Sequence, residues 1–148
     1  MPDLVLSLRP YTICAASKYS FMLQQHPGLY YAPSGKHRYG MYCAEDIQRD
    51  SVIEICPIII IPGEQAREIV RGYVLYEYYF EWKRDSIAIA LGYGSLYNHS
   101  EQPNAIFEPD YKNQYIIFKS LKEIPAGQEI LVDYHAGNPD EKVWFEIK

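Results

Sequence analysis

Cysteine is scarce in this 148-residue chain, and the three present, Cys14, Cys43 and Cys56, stand far apart. An odd, scattered set supports neither a disulfide framework nor a paired-cysteine metal knuckle, so the thiols read as reduced, mostly core residues. Long apolar runs are missing as well. No stretch approaches the roughly 20 residues that cross a bilayer, so no spanning helix is expected and no membrane partner is implied. Basic residues are the third shortage: 14 Lys and Arg face 19 Asp and Glu, a formal charge of -5, with no basic cluster or arm. Direct nucleic-acid binding is disfavoured, because phosphate contacts need a Lys/Arg surface. A basic partner suits an acidic chain instead, since complementary potential speeds encounter. The first residues, Met1-Pro-Asp-Leu-Val-Leu-Ser-Leu-Arg9, hold an acid where a signal peptide is basic. The expectation is a cytoplasmic or nuclear protein that is not secreted.

What remains is the composition of a globular protein, 48% hydrophobic and 22% charged, long enough for one core and therefore for one main site. Tyrosine is the outlier, with fifteen residues. They suit strands, being β-formers with a polar tip, and their faces also suit a cation-binding channel. Short strand-like segments recur at about ten-residue spacing with little helix between them, which predicts a mainly β chain of several small twisted sheets. The spacing predicts strands over 38–44, 52–61, 87–91 and 129–134. It predicts a hairpin from 105–108 and 114–119 around the turn at 109–113, and extended structure over 73–82. Within 52–61, Pro57 predicts an edge or a bulge. A brief helix is expected over 63–71, stopped by Gly72, and another over 15–25, ended by Pro27-Gly28. Residues 1–33 read as an N-terminal appendage and 34–148 as the domain.

The most shaped stretch is Gly92-Tyr-Gly-Ser-Leu-Tyr-Asn-His-Ser-Glu-Gln-Pro-Asn104. Two glycines, two asparagines and a proline restrict the backbone where the chain stops being strand-like, and such loops often hold ligands. Taken alone, the stretch reads more readily as a turn that Asn98 and Asn104 satisfy themselves, with His99 an exposed loop residue.

Two further segments change that balance. Arg38-Tyr-Gly-Met-Tyr-Cys-Ala44, Asn98-His-Ser-Glu-Gln-Pro-Asn104 and Gly127-Gln-Glu-Ile-Leu-Val-Asp-Tyr134 resemble, in order and with typical spacing, the GxGxxA, NHSxxPN and GEExxxDY signatures of SET-domain lysine methyltransferases. The chain is most similar to the minimal viral and bacterial members. The resemblance covers about residues 34–146 and implies the SET-domain fold, with small twisted sheets, short helices and a C-terminal pseudoknot. It implies S-adenosylmethionine as methyl donor and the side-chain amine of a lysine in a basic protein or peptide, such as a histone tail, as acceptor. By resemblance Tyr39 and Gly40 approach the cofactor with their backbone, Asn98 and His99 bind its amino-acid and adenine parts, and Tyr134 stands at the point of transfer.

The chemistry suits these residue types. Methyl transfer from a sulfonium is an in-line displacement, so the protein must align a neutral amine with the methyl group. A free lysine has a pKa of about 10.4, and a desolvated aromatic channel lowers it. Tyr39, Tyr78 and Tyr134 are the channel candidates, with Tyr79 as a rival to Tyr78 and packing as the other reading of either. Glu129 reads as support for the hydrogen bonding of the fold, and Asp133 is given no catalytic role.

Three departures stand out: Arg38 replaces the first glycine of GxG, Glu101 replaces the cysteine that follows NHS in many members, and the cysteine-rich segment after DY is missing. No zinc or other metal is expected. The wall that zinc would support must come from residues 134–145, with Trp144 the candidate against adenine or substrate, or else a hydrophobic anchor. The competing reading is a catalytically inactive SET-fold module that binds a lysine-containing partner; Arg38 would favour it, and Asn98, His99 and Tyr134 favour the enzyme. An unrelated all-β protein would require three accidental matches. A homodimer is compatible with the sequence and not specified by it.

Overall fold

In the computed structural model, residues 24–69 and 74–135 are described. The strands are β1 (Gln24–Gln25), β2 (Leu29–Pro33), β3 (Tyr39–Cys43), β4 (Val52–Ile61), β5 (Tyr79–Glu81), β6 (Ile87–Ala90), β7 (Asn98–His99), β8 (Ala105–Asp110), β9 (Tyr115–Ser120) and β10 (Glu129–Val132). Helix α1 (Gly63–Ile69) follows β4, and 3-10 turns cover Val74–Glu77 and Gly94–Leu96. One sheet runs β5-β6-β4-β9-β8 with β1 also on β4, and the second runs β2-β3-β10-β7.

The β-branched run of β4 explains the larger sheet. Its first half pairs with β9, from Val52↔Lys119 to Pro57↔Tyr115, and its second half pairs with β6, from Ile58↔Ala90 to Ile61↔Ile87. Pro57 has no N–H to offer a ladder, and it falls where β4 changes partner, its carbonyl accepting from Leu91 N at 2.8 Å. The register irregularity lies between Val52 and Glu54 instead of at the proline. The predicted hairpin is β8–β9. Its turn is held by Asp110, whose carboxylate accepts from Lys112 N, Asn113 N and the Asn113 amide.

The core lies between the sheets. Met41, Cys43, Ile53, Cys56, Ile124 and Ile130 have no exposed surface. Tyr97 stacks on Phe118 with ring centroids 4.3 Å apart. Cys43 and Cys56 are buried and free. Cys14 lies outside the described residues.

Three expectations need correction. Residues 24–33 were assigned to an appendage, yet β1 pairs with β4 and β2 pairs with β3 along its whole length. The cause is cross-strand packing: Tyr30 stacks on Tyr42 and Tyr31 on Tyr39, at 5.6 and 4.7 Å between ring centroids. The helix expected over 15–25 gives way at its end to this strand pairing, and its earlier part lies outside the described residues. The stretch expected to be extended over 73–82 is, from Val74 on, a 3-10 turn followed by a strand of three residues, because β5 meets β6 only from Tyr79↔Ile89 to Glu81↔Ile87. Helix α1 forms as expected through Ile69, and its expected stop at Gly72 lies outside the described residues.

Candidate active site

The site grows from the smaller sheet, where β10 joins two segments far apart in sequence. It pairs antiparallel with β3 and parallel with β7, placing Leu131 opposite Asn98 and Val132 opposite His99. The loop after β7 stays against β10: Ser100 N donates to Val132 O at 2.9 Å, and Asn104 N to Leu131 O at 3.1 Å. The Asn104 side chain, almost fully buried, also takes a bond from Leu131 N and gives one to Glu129 O, both 2.8 Å. Asn104 thus serves the fold by fastening the loop to β10.

Glu129 is the hub beneath. Its carboxylate accepts from Ser34 Oγ at 2.8 Å, from Asn98 Nδ2 at 2.8 Å and from Tyr42 OH at 3.4 Å. Asn98 Nδ2 donates in addition to Tyr39 O at 2.9 Å. This crossing requires glycine at 40, since a Cβ there would lie 2.1 Å from Glu129 Oε1. Asn98 is thereby fixed by its amide nitrogen, while its Oδ1 accepts from none of the described residues.

Tyr134 sits just past β10. Its N donates to His99 Nδ1 at 3.1 Å, and its hydroxyl donates to Tyr97 O at 2.6 Å. Burial first, then the neighbouring Tyr78 and Glu129, push its hydroxyl well above the ordinary tyrosine value, so it stays protonated. His99 is held below the ordinary histidine value, chiefly by burial, with Asp133 pulling the other way. Its Nδ1 accepts from Tyr134, so the neutral ring carries its proton on Nε2, which is buried and has no partner among the described residues.

A cleft of about 220 Å³ opens beside Tyr134 and is lined also by Tyr31, His37, Arg38, Tyr39, Glu77, Tyr78, Ser95, Leu96 and Asn98. Of the residues singled out from the sequence, Tyr39, Tyr78, Asn98 and Tyr134 converge here. Tyr79 does not: it belongs to β5 and packs on Tyr76, with ring centroids 5.7 Å apart. Gly40 and His99 are not among the lining residues; Gly40 underlies the Asn98–Glu129 crossing, and the His99 ring lies 5.3 Å from that of Tyr134. Trp144 lies outside the described residues. Sequence reasoning missed Glu77, which no motif marks, and gave no individual role to Ser95 and Leu96 of the Gly92–Asn104 stretch. It noted Arg38 only as a departure.

His99, Asp133 and His135 also gather, with one ligating atom of each within 4.8 Å of the others. Asp133 Oδ1 lies 3.0 Å from His135 Nδ1 and accepts from His135 N at 2.9 Å, and His99 Nδ1 is taken by Tyr134 N. Hydrogen bonding about the strand end accounts for this cluster.

Residues 38–135 match the SET domain family. Among curated proteins, a Schizosaccharomyces pombe protein named "Histone-lysine N-methyltransferase, H3 lysine-37 specific" is 32% identical over 107 residues, 72% of this chain and 69% of that protein. Among solved structures, a Plasmodium falciparum histone methyltransferase candidate aligns at 32% identity with a TM-score of 0.62, covering 75% of this chain and 94% of that one. The Chaetomium thermophilum Polycomb Repressive Complex 2 bound to S-adenosylmethionine shares the fold, at 22% identity and a TM-score of 0.62 over 76% of this chain and 16% of that one. No helix among the described residues is long and apolar enough to cross a membrane. With the three motifs folded onto one strand-lined cleft and the family match spanning all of them, the chain belongs to the SET-domain family of protein-lysine methyltransferases.

Proposed function

We propose that this protein transfers a methyl group from S-adenosylmethionine to the side-chain amine of a lysine in a histone tail or similar basic protein, at the cleft beside Tyr134. The observation that carries the reading is the convergence of Tyr134, Tyr78, Tyr39 and Asn98 on that single cleft. The cofactor supplies an electrophilic methyl on a sulfonium.

The residues fit that cofactor. Asn98 offers to an ammonium a carbonyl oxygen that no described residue uses, and His99 offers to an acceptor a buried Nε2–H without a partner among the described residues. A cleft of about 220 Å³ is smaller than the roughly 300 Å³ at which whole-ligand pockets begin, so it suits the reacting ends of two ligands and leaves the nucleoside outside. The chain's own residues then do three things. Tyr39 and Tyr78 give the incoming ammonium aromatic faces in a partly dry channel, which favours loss of its proton. Tyr134, with its hydrogen committed to Tyr97 O, presents its oxygen as an acceptor that holds the amine in line. The acidic chain attracts the basic substrate. Arg38, the feature that would have favoured an inactive module, lines the wall of the cleft without filling it.

The test is transfer of labelled methyl groups from S-adenosylmethionine to purified core histones, with the modified residue located by mass spectrometry. Tyr134→Phe loses the acceptor oxygen and slows transfer at least about 100-fold, as expected for a positioned catalytic group, while cofactor binding measured by calorimetry persists. Transfer at the wild-type rate by this variant would remove Tyr134 from the mechanism, and unlabelled histones would exclude that substrate class.

A further inference from the structure

We infer that Arg38 is the counter-ion for the α-carboxylate of the methyl donor's methionine part, a role that rests on the cofactor reading above. Arg38 has φ 29, in the left-handed region that favours glycine. The hairpin between β2 and β3 explains the angle: Arg38 O accepts from Ser34 N at 3.1 Å, and Ser34 Oγ in turn holds Lys36 N and Glu129. The hairpin does not explain the residue. Glycine would adopt that conformation freely, and Asp50, Arg84, Asp85 and Gln114 also hold positive φ, so it is the place of the Arg38 side chain on the cleft that points to a use.

The surroundings say which use. Arg38 lines the cleft and forms no ion pair with any described residue. Glu77, the carboxylate on the same lining, lies 4.0 Å from His37 and forms no ion pair with Arg38. Arg38 therefore brings a positive charge with no ion-paired carboxylate among the described residues to a cleft proposed to receive a sulfonium and a lysine ammonium, both of which it repels. An anion beside it removes that conflict. The donor carries one negative group, the carboxylate, bonded to the same carbon as an ammonium, and Asn98 offers that ammonium its free Oδ1 in the same cleft. A guanidinium meets a carboxylate with two parallel N–H donors, so the pair fixes orientation as well as charge.

Calorimetric titration of the intact protein with S-adenosylmethionine and with its decarboxylated analogue tests this. Wild type is expected to bind the complete donor about tenfold more tightly than the analogue, in line with one charge-assisted pair at a half-open site. Arg38→Gly, which supplies the residue the backbone angle prefers and so leaves folding intact, is expected to bind both compounds at the weaker level. Arg38→Lys recovers part of the preference, and Lys36→Met, in the same hairpin but outside the cleft, keeps all of it. If Arg38→Gly retains the preference, or loses affinity equally for both compounds, Arg38 is not the carboxylate's partner although the cofactor reading stands. If the folded wild-type protein binds neither compound, the cofactor reading falls and this role with it.

Discussion

A methyl group at position 40 would collide with the carboxylate on which the site is hung. Gly40→Ala must push Glu129 and Asn98 away from β3, because the added Cβ lies 2.1 Å from one and 2.9 Å from the other. The variant is expected to be less stable by roughly 2 to 3 kcal/mol in urea unfolding, the usual cost of overpacking together with a disturbed buried hydrogen-bond set. His99 makes a prediction of a different kind. Its folded-state pKa lies below the ordinary 6.5, so the unfolded chain takes up its proton first as the solution is acidified. The stability it contributes is complete above about pH 6.5 and is lost as pH falls through the lower folded-state value. His99→Gln should therefore show a flatter decline of melting temperature between pH 7 and 5 than wild type does. Both residues were legible in the sequence as motif members. Their physical jobs were not, since a motif carries no information about which atoms cross beneath a strand or which nitrogen holds a proton.

The 3-10 turn Gly94–Leu96 and the residues beside it are tied to β4 by one acid. Glu54 is completely buried, and its carboxylate accepts from Tyr93 N at 2.9 Å, Tyr97 OH at 2.8 Å and Gln25 Nε2 at 2.9 Å. The same Tyr97 presents its carbonyl to Tyr134, so the orientation of that hydroxyl depends on how the turn is anchored. Glu54→Leu strands three donors and is expected to cost about 3 kcal/mol in equilibrium unfolding. The sequence reads Val52–Ile61 as an apolar strand and does so correctly. It has no means of marking the one acid inside that strand, because the partners come from residues 25, 93 and 97. Strands with strong alternation or β-branching, such as β4, β6, β8 and β9, were visible for the same reason that they are buried. β2 was not, because tyrosine pairs that hold it on β3 look, in one dimension, like a polar aromatic tail.

Across the whole molecule, the site depends on contacts between distant parts of the chain. Cavity formation in the shared core should reveal this: Phe118 packs against Tyr97, Phe80 and Phe107, so Phe118→Ala is expected to lower stability by about 3 to 5 kcal/mol. Because Tyr97 leads directly into β7, the same variant should also lose methyl transfer by more than its unfolded fraction accounts for, when activity and folded fraction are measured side by side. Three ordered motifs made the family legible. The remainder, including the 220 Å³ cleft, follows from how the two 3-10 turns meet the smaller sheet, which spacing along the chain does not encode.

The parallel pairing of β7 with β10 also sets an order of events in time. Asn98 meets its partner only when Leu131 has been made and has left the ribosome, and parallel strands cannot be joined by a tight turn. The larger sheet needs nothing later than β9 and can assemble before that moment, whereas the ligand-facing residues come into register last. Loop closure across this gap, governed by entropy, is the step expected to limit the appearance of activity during refolding.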